Sequence, residues 1–303
     1  MEFLQFLAQY RTPAGNILFQ GITYLAQEIF VVAVICWMYW CSNKRFAYSL
    51  GFTYFTSGLL IQGFKITFRI PRPWVLNPDF HAVPSALPGA TGYSFPSGHT
   101  QSITALFGTV AVYLKKTAGR ILCFLLIFAV MFSRMYLGCH TPKDVCVSFA
   151  VTMACVLLNY YFFHIRGNLN GKEGITAVLM AAACLLLCTY AAVLERNKII
   201  DIAYAEDCLK ASGAGTAFAI GYYTEKRYIR FDLPHTLKEK LLRLIIGLAA
   251  ALLLQQGLKP VLGSSLWASF FRYFLVVAWI LMFYPLLFSK IPKAAKQQFL
   301  RKT

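Results

Sequence analysis

Apolar runs of about 20 residues, separated by short clusters of Lys, Arg, Gly and Pro, recur along most of the chain. A run of that length spans a hydrocarbon core about 30 Å thick. The pattern predicts nine spans, at 17–41, 46–64, 98–114, 121–137, 145–163, 175–194, 203–223, 241–258 and 266–288. A loop rich in Pro and Gly, 71–96, separates the second from the third. The seventh run carries the weakest apolar signal, because Glu206, Asp207 and Lys210 fall in its first turns. Those turns should face protein or an interface. Its small residues Gly213, Ala217 and Gly221 recur every fourth position, a spacing that lets helices pack closely in lipid. No internal repeat or low-complexity tract is present. Residues 1–303 therefore read as one all-α membrane domain, a polytopic helical bundle.

Composition agrees. Soluble domains hold about 25% charged and 45–50% apolar residues, whereas this chain has 14% and 58%. The net charge of +17 raises the question of nucleic acid, but the basic residues sit in short loops and not along one exposed face. Alternate loops hold 17 of them: Lys44 and Arg45; Lys115, Lys116 and Arg120; Arg166 and Lys172; Lys226, Arg227, Arg230, Lys238 and Lys240; Lys290, Lys293, Lys296, Arg301 and Lys302. The other side has nine: Arg11, Lys65, Arg69, Arg72, Arg134, Lys143, Arg196, Lys198 and Lys259. The richer side should be cytoplasmic, which puts the N-terminus outside and the C-terminus inside. Met1 to Arg11 lacks the pattern of a cleaved signal peptide. The chain has no N-x-[ST] acceptor, which points to a bacterial cell membrane.

The nine cysteines form no C-x-x-C pair and mostly lie in apolar runs, where Cys behaves as a small hydrophobe. Neither a disulfide framework nor a zinc site is expected. Cys139 is singled out only because it adjoins His140.

The chemistry collects on the charge-poor side. Lys65 and Arg72 stand where the second span ends. Ser97, Gly98 and His99 open the third, in Pro96-Ser-Gly-His99. Arg134, His140 and Asp144 bracket the junction of the fourth and fifth. Three cations there would offset a phosphomonoester, with Arg forks matching phosphate oxygens and Lys65 acting as a point charge. Ser97 and Gly98 begin a helix, whose free N–H groups favour an anion. His140 is the natural nucleophile, since a neutral imidazole can attack phosphorus. Asp144, one turn on, can orient it, and His99 can protonate the leaving alkoxide and then activate water. Each residue alone has a plainer reading. Lys65 and Arg72 could snorkel. Ser97 could be only a helix cap, and Thr141 with Asp144 a capping box after which Pro142 starts a helix. Those readings would all have to coincide on one face. Near the motifs only Asp79 and Asp144 are acidic, too few for a two-metal centre, so no metal or other cofactor is expected. His81 and Asp79 are read as ordinary loop residues that could touch substrate.

Lys65-x6-Arg72-Pro73, Pro96-Ser97-Gly98-His99 and Ser133-Arg134-x5-His140-x3-Asp144 resemble, in order and without departure, the three-part signature of the type 2 phosphatidic acid phosphatase superfamily. The resemblance implies a metal-independent phosphatase with a histidine nucleophile and a helical core shared with vanadium haloperoxidases. It places that core at about 46–163, with additional membrane helices at 175–290. Two spans precede Lys65, as in the glucose-6-phosphatase branch. The leading expectation is a lipid-phosphate phosphatase acting at the outer face, on a phosphatidic acid, polyprenyl or sphingoid phosphate. A sugar-phosphate phosphatase is the alternative with the same chemistry. A transporter or binding protein with a vestigial site is the alternative from another class.

Overall fold

A computed structural model of the chain describes residues 1–166, 171–263 and 265–289. Every regular element among the described residues is a helix, with no strand. The helices are α1 (Glu2–Gln9), α2 (Pro13–Thr23), α3 (Glu28–Trp37), α4 (Lys44–Phe68), α5 (Pro73–Leu76), α6 (Gly98–Ile103), α7 (Thr109–Tyr113), α8 (Thr117–Tyr136), α9 (Pro142–Tyr160), α10 (Glu173–Arg196), α11 (Ile202–Thr224), α12 (Leu237–Leu262), α13 (Leu266–Ala278) and α14 (Tyr284–Ser289). Wide π-helical turns prolong α3, α9, α11 and α13, and join α6 to α7. The basic residues Lys290, Lys293, Lys296, Arg301 and Lys302, and the last residue of the expected 175–290 region, lie outside the described residues.

Five helices are long and apolar enough to cross a membrane: α8, α9 and α13 with their π-helical extensions where present, α10 and α12. A bent pair makes a sixth, Pro13–Ala26 with Glu28–Ser42, turned by 43°. The expected count of nine is not confirmed: five or six spans meet these criteria of length and apolarity, and the reason the others fall short is physical. The 17–41 run is not one straight helix but breaks at Gln27, whose backbone is extended. The helical run from Gly98 to Tyr113 is only 16 residues long. Helices α4 and α11 occupy the predicted places, yet more than half of each is buried in protein. A helix whose neighbours are other helices need not be as apolar as one that faces lipid. With its apolar helices the chain is a multi-pass integral membrane protein.

Packing explains why α11 is central. A Cβ at Gly213 would collide with the Phe270 carbonyl, one at Gly215 with Cys184 and one at Gly221 with Leu281. The small-residue spacing thus lets α11 sit tightly between α10 and α13. Phe218 and Tyr222 pack edge-on against Phe52 of α4, at 4.9 and 5.0 Å between centroids, a geometry that adds about 0.5–1.5 kcal/mol per aromatic pair beyond area burial. The π-helical turn at Trp279–Phe283 offers its Ile280 and Leu281 carbonyls to Trp40 Nε1 and Tyr39 Oη, each at 3.0 Å. On the other side of α4, helices α6 and α9 pack against it and α8 packs against α6, so that the end of α4 and these three helices bring the motifs together.

Candidate active site

Three junctions meet at one end of this bundle. Lys65 lies one turn before the end of α4, which stops at Arg69 in a left-handed conformation (φ 51°). Lys65 is 8% exposed. A Cβ built on Gly98 would stand 4.0 Å from its Nζ, and one on Gly92 3.7 Å, so α4 and the start of α6 converge there. Ser97 caps α6, accepting from the Thr100 N–H at 3.3 Å. Its own N–H donates to the Asp144 carbonyl at 3.1 Å, and its carbonyl accepts from Ser148 Oγ at 2.7 Å. The second motif is thereby bonded to the third.

Arg72 sits in the loop after α4, 6% exposed, with its whole fork engaged. Nε donates to the Gly92 carbonyl (3.0 Å), one terminal nitrogen to Thr91 (2.6 Å) and the other to Cys139 (3.0 Å). That last nitrogen also lies 3.0 Å from His140 Nε2. Burial lowers the Arg72 guanidinium to about 10, which still leaves it protonated at neutral pH. A guanidinium can only donate, so Nε2 must accept, and the imidazole proton is assigned to Nδ1. Nδ1 faces Asp144 Oδ2 at 3.6 Å. Burial first, then the charge of Arg72, hold the His140 imidazole well below its ordinary value, against the support of Asp144. The ring is therefore neutral at pH 7, with its lone pair on the nitrogen beside the cations.

Asp144 serves two structures at once. Its Oδ2 accepts from the Thr141 N–H at 2.8 Å, completing a capping box at the start of α9 with Pro142 in the first turn. The same oxygen accepts from Ser94 Oγ at 2.6 Å. Ser94 escaped the sequence reading because only tertiary folding brings it across 50 residues to α9. Arg134, on the last turn of α8, is 1% exposed. One of its nitrogens donates to Thr23 Oγ1 at 3.3 Å, while Nε and the other terminal nitrogen have no partner among the described residues. Thr23, at the end of α2, is the second residue the motifs do not reveal.

His99, in the first turn of α6, lies within electrostatic reach of Arg134, His140, Arg72 and Lys65. All the residues singled out in the three motifs thus gather in one place. Asp79 and His81 do not join them through a side chain. Asp79 is exposed and its N–H meets Asn77 Oδ1. His81 is exposed and its carbonyl accepts from Arg11 at 2.6 Å. Cys139 contributes its carbonyl, not its thiol. Among the described residues no group of three or more His, Cys, Asp or Glu is placed to hold a metal ion.

Buried cations cluster beside a neutral histidine with a carboxylate behind it, set among membrane helices, an arrangement suited to phosphate. The chain belongs to the PAP2 superfamily: that family's model matches residues 46–168, and the model described as PAP2 superfamily phosphatase, transmembrane extension, matches residues 209–297. It is 28% identical over 171 residues to a probable sphingosine-1-phosphate phosphatase of Dictyostelium discoideum, a match covering 51% of this chain and 40% of that relative. The chain thus spans less than half the length of that relative. No solved structure matches it.

Proposed function

We propose that this protein is a metal-independent membrane phosphatase that hydrolyses a lipid phosphomonoester at the outer face of the membrane. The observation that carries the reading is the polarity of the His140 ring, with Nε2 turned to the cations and Nδ1 to Asp144. In the first step Nε2 attacks phosphorus, a P–N bond forms and the P–O bond to the lipid alcohol breaks. His99 gives its proton to the departing alkoxide. Asp144 supports the positive charge that the ring acquires. Lys65, Arg72 and Arg134, with the backbone at Ser97 and Gly98, bind the phosphoryl oxygens as charge spreads. In the second step His99 takes a proton from water, the hydroxide displaces Nε2, and inorganic phosphate leaves. A site at the end of α4, where the headgroup of a bilayer lipid would lie, supports a substrate whose tails stay in lipid. The relative's printed name supports the same substrate class.

Acid-quenched labelling with a phosphorus-labelled aryl phosphate tests the mechanism. His140→Ala should yield no adduct, and His99→Ala should accumulate an acid-labile, base-stable one. An adduct that persists in His140→Ala would assign the nucleophile elsewhere. Side by side, a sphingoid or phosphatidic acid substrate should outcompete a hexose phosphate in detergent, and the reverse order would favour the sugar-phosphate reading. For the orientation, a membrane-impermeant thiol reagent should reach Ser85→Cys and miss Thr117→Cys in intact cells, in a background where the exposed Cys146 is replaced.

A further inference from the structure

Helix α4 carries Lys65 near one end and Lys44 at the other. Twenty-one residues at about 1.5 Å per residue separate them by roughly 31 Å, the thickness of a bilayer core. At the Lys44 end, Lys44, Tyr48, Glu225, Lys226 and Arg230 line a cavity of about 220 Å³. Glu225 is 2% exposed and fully occupied: Lys44 Nζ donates to Oε1 at 2.6 Å and Tyr48 Oη to Oε2 at 2.5 Å. Lys44 is held further by the Phe231 carbonyl and by the Phe231 ring, 3.6 Å from its Nζ. These two charges cancel as a partly buried pair. The charge left to the cavity is that of Lys226 and Arg230.

Neither of those cations has a carboxylate partner among the described residues. Lys226 Nζ lies 5.8 Å from the Tyr48 ring. Arg230 uses only Nε within the fold, donating to the Lys226 carbonyl at 3.1 Å. Its backbone is left-handed (φ 45°, ψ 44°), at the end of the π-helical turn that prolongs α11. This is the common way for a helix to end, and it turns the chain away at the cavity. Tyr228, two residues before, is 69% exposed, the kind of aromatic that marks the headgroup level of a membrane.

We propose that this cavity binds the phosphate headgroup of an anionic phospholipid from the leaflet opposite the catalytic cluster. Two unpaired cations at the end of a bilayer-length helix suit a phosphodiester anchored in lipid, which arrives already concentrated at that depth. The site shares no residue with the catalytic one, so its ligand is a bound lipid and not a substrate.

Native mass spectrometry of the purified protein tests this, with phosphatidylglycerol or phosphatidylcholine added at equal concentration. Wild type should retain one phosphatidylglycerol and no comparable phosphatidylcholine. The double variant Lys226→Gln/Arg230→Gln should cut phosphatidylglycerol retention at least tenfold, while Lys226→Arg/Arg230→Lys and the control Lys238→Gln, at an exposed position off the cavity, should keep it. An unchanged melting temperature without added lipid shows that the double variant is folded. Equal retention of phosphatidylcholine, or full retention by the double variant, would overturn the proposal. So would displacement by soluble glycerol phosphate at the concentration of the lipid, which would make this a site for free phosphate.

Discussion

Arg72 donates a hydrogen bond to the nitrogen of His140 that faces the cation cluster, at 3.0 Å. The same fork ties down the loop carbonyls of Thr91, Gly92 and Cys139. The arginine thus fixes the tautomer of the histidine and the walls around it together. Lysine offers a point charge with no planar fork and cannot replace these contacts. Arg72→Lys should lower kcat by about 10²–10³-fold, the range found for a lost transition-state donor. Steady-state kinetics on a soluble aryl phosphate checks this, and a variant within threefold of wild type would remove Arg72 from that role.

The Asp144 carboxylate accepts from Ser94 and Thr141 and lies 3.6 Å from His140 Nδ1, so its loss mixes stability with chemistry. Ser94→Ala separates the two, because it strips one acceptor contact and leaves the capping box intact. Stability should fall by about 1.5–3 kcal/mol, as for loss of a buried hydrogen bond to a charged group. Turnover should drop roughly tenfold as the carboxylate loosens behind the imidazole. Asp144→Asn should cut turnover further while phosphate inhibition stays nearly constant. If Ser94→Ala left turnover untouched, Ser94 would be a structural partner alone.

Burial and the Arg72 charge depress the His140 value in the fold, whereas the unfolded chain has a histidine near pH 6.5. Below that pH the unfolded state takes up a proton that the folded state refuses. Folding stability should therefore be flat in this respect above about pH 7 and decline as the pH falls through 6. His140→Gln should show a shallower decline than wild type. Melting temperatures in detergent between pH 8 and pH 5 measure it, and parallel curves for the two proteins would mean that His140 titrates normally.

Two nitrogens of the buried Arg134 lack partners among the described residues. An anion that supplies acceptors should bind there and stabilise the fold by mass action, about 2.7 kcal/mol at a hundredfold excess over Kd. Vanadate, able to take the five-coordinate geometry of the transition state, should raise the melting temperature more than sulfate and should inhibit. In Arg134→Leu the vanadate shift should vanish. EDTA should leave activity in place, and a loss restored by magnesium would end the metal-independent reading.

Much of this site was legible because its parts are local. The seven-residue step from Lys65 to Arg72, the cap at Ser97 and the Thr141–Asp144 box are short-range patterns that a linear reading captures. Ser94 and Thr23 are ordinary polar residues whose partners are 50 and 111 positions away, and nothing near them in sequence signals the pairing. The full count of nine spans was not confirmed for a related reason. Hydropathy reports on the solvent a helix meets, and α4 and α11 meet mostly other helices. The break at Gln27 was hidden because the apolar run continues unbroken through it.

That break sets Thr23 beneath Arg134, and just upstream Arg11 reaches the carbonyls of Tyr136 and His81. Both residues precede the stretch 46–168 that carries the family signature. The signature helices are therefore not a self-sufficient cartridge. Transplanted without their N-terminal leader, they would leave Arg134 with no acceptor at all among the described residues and the turn before His140 unbraced, so a chimaera or a trimmed variant should be cut before Arg11, not before Phe46.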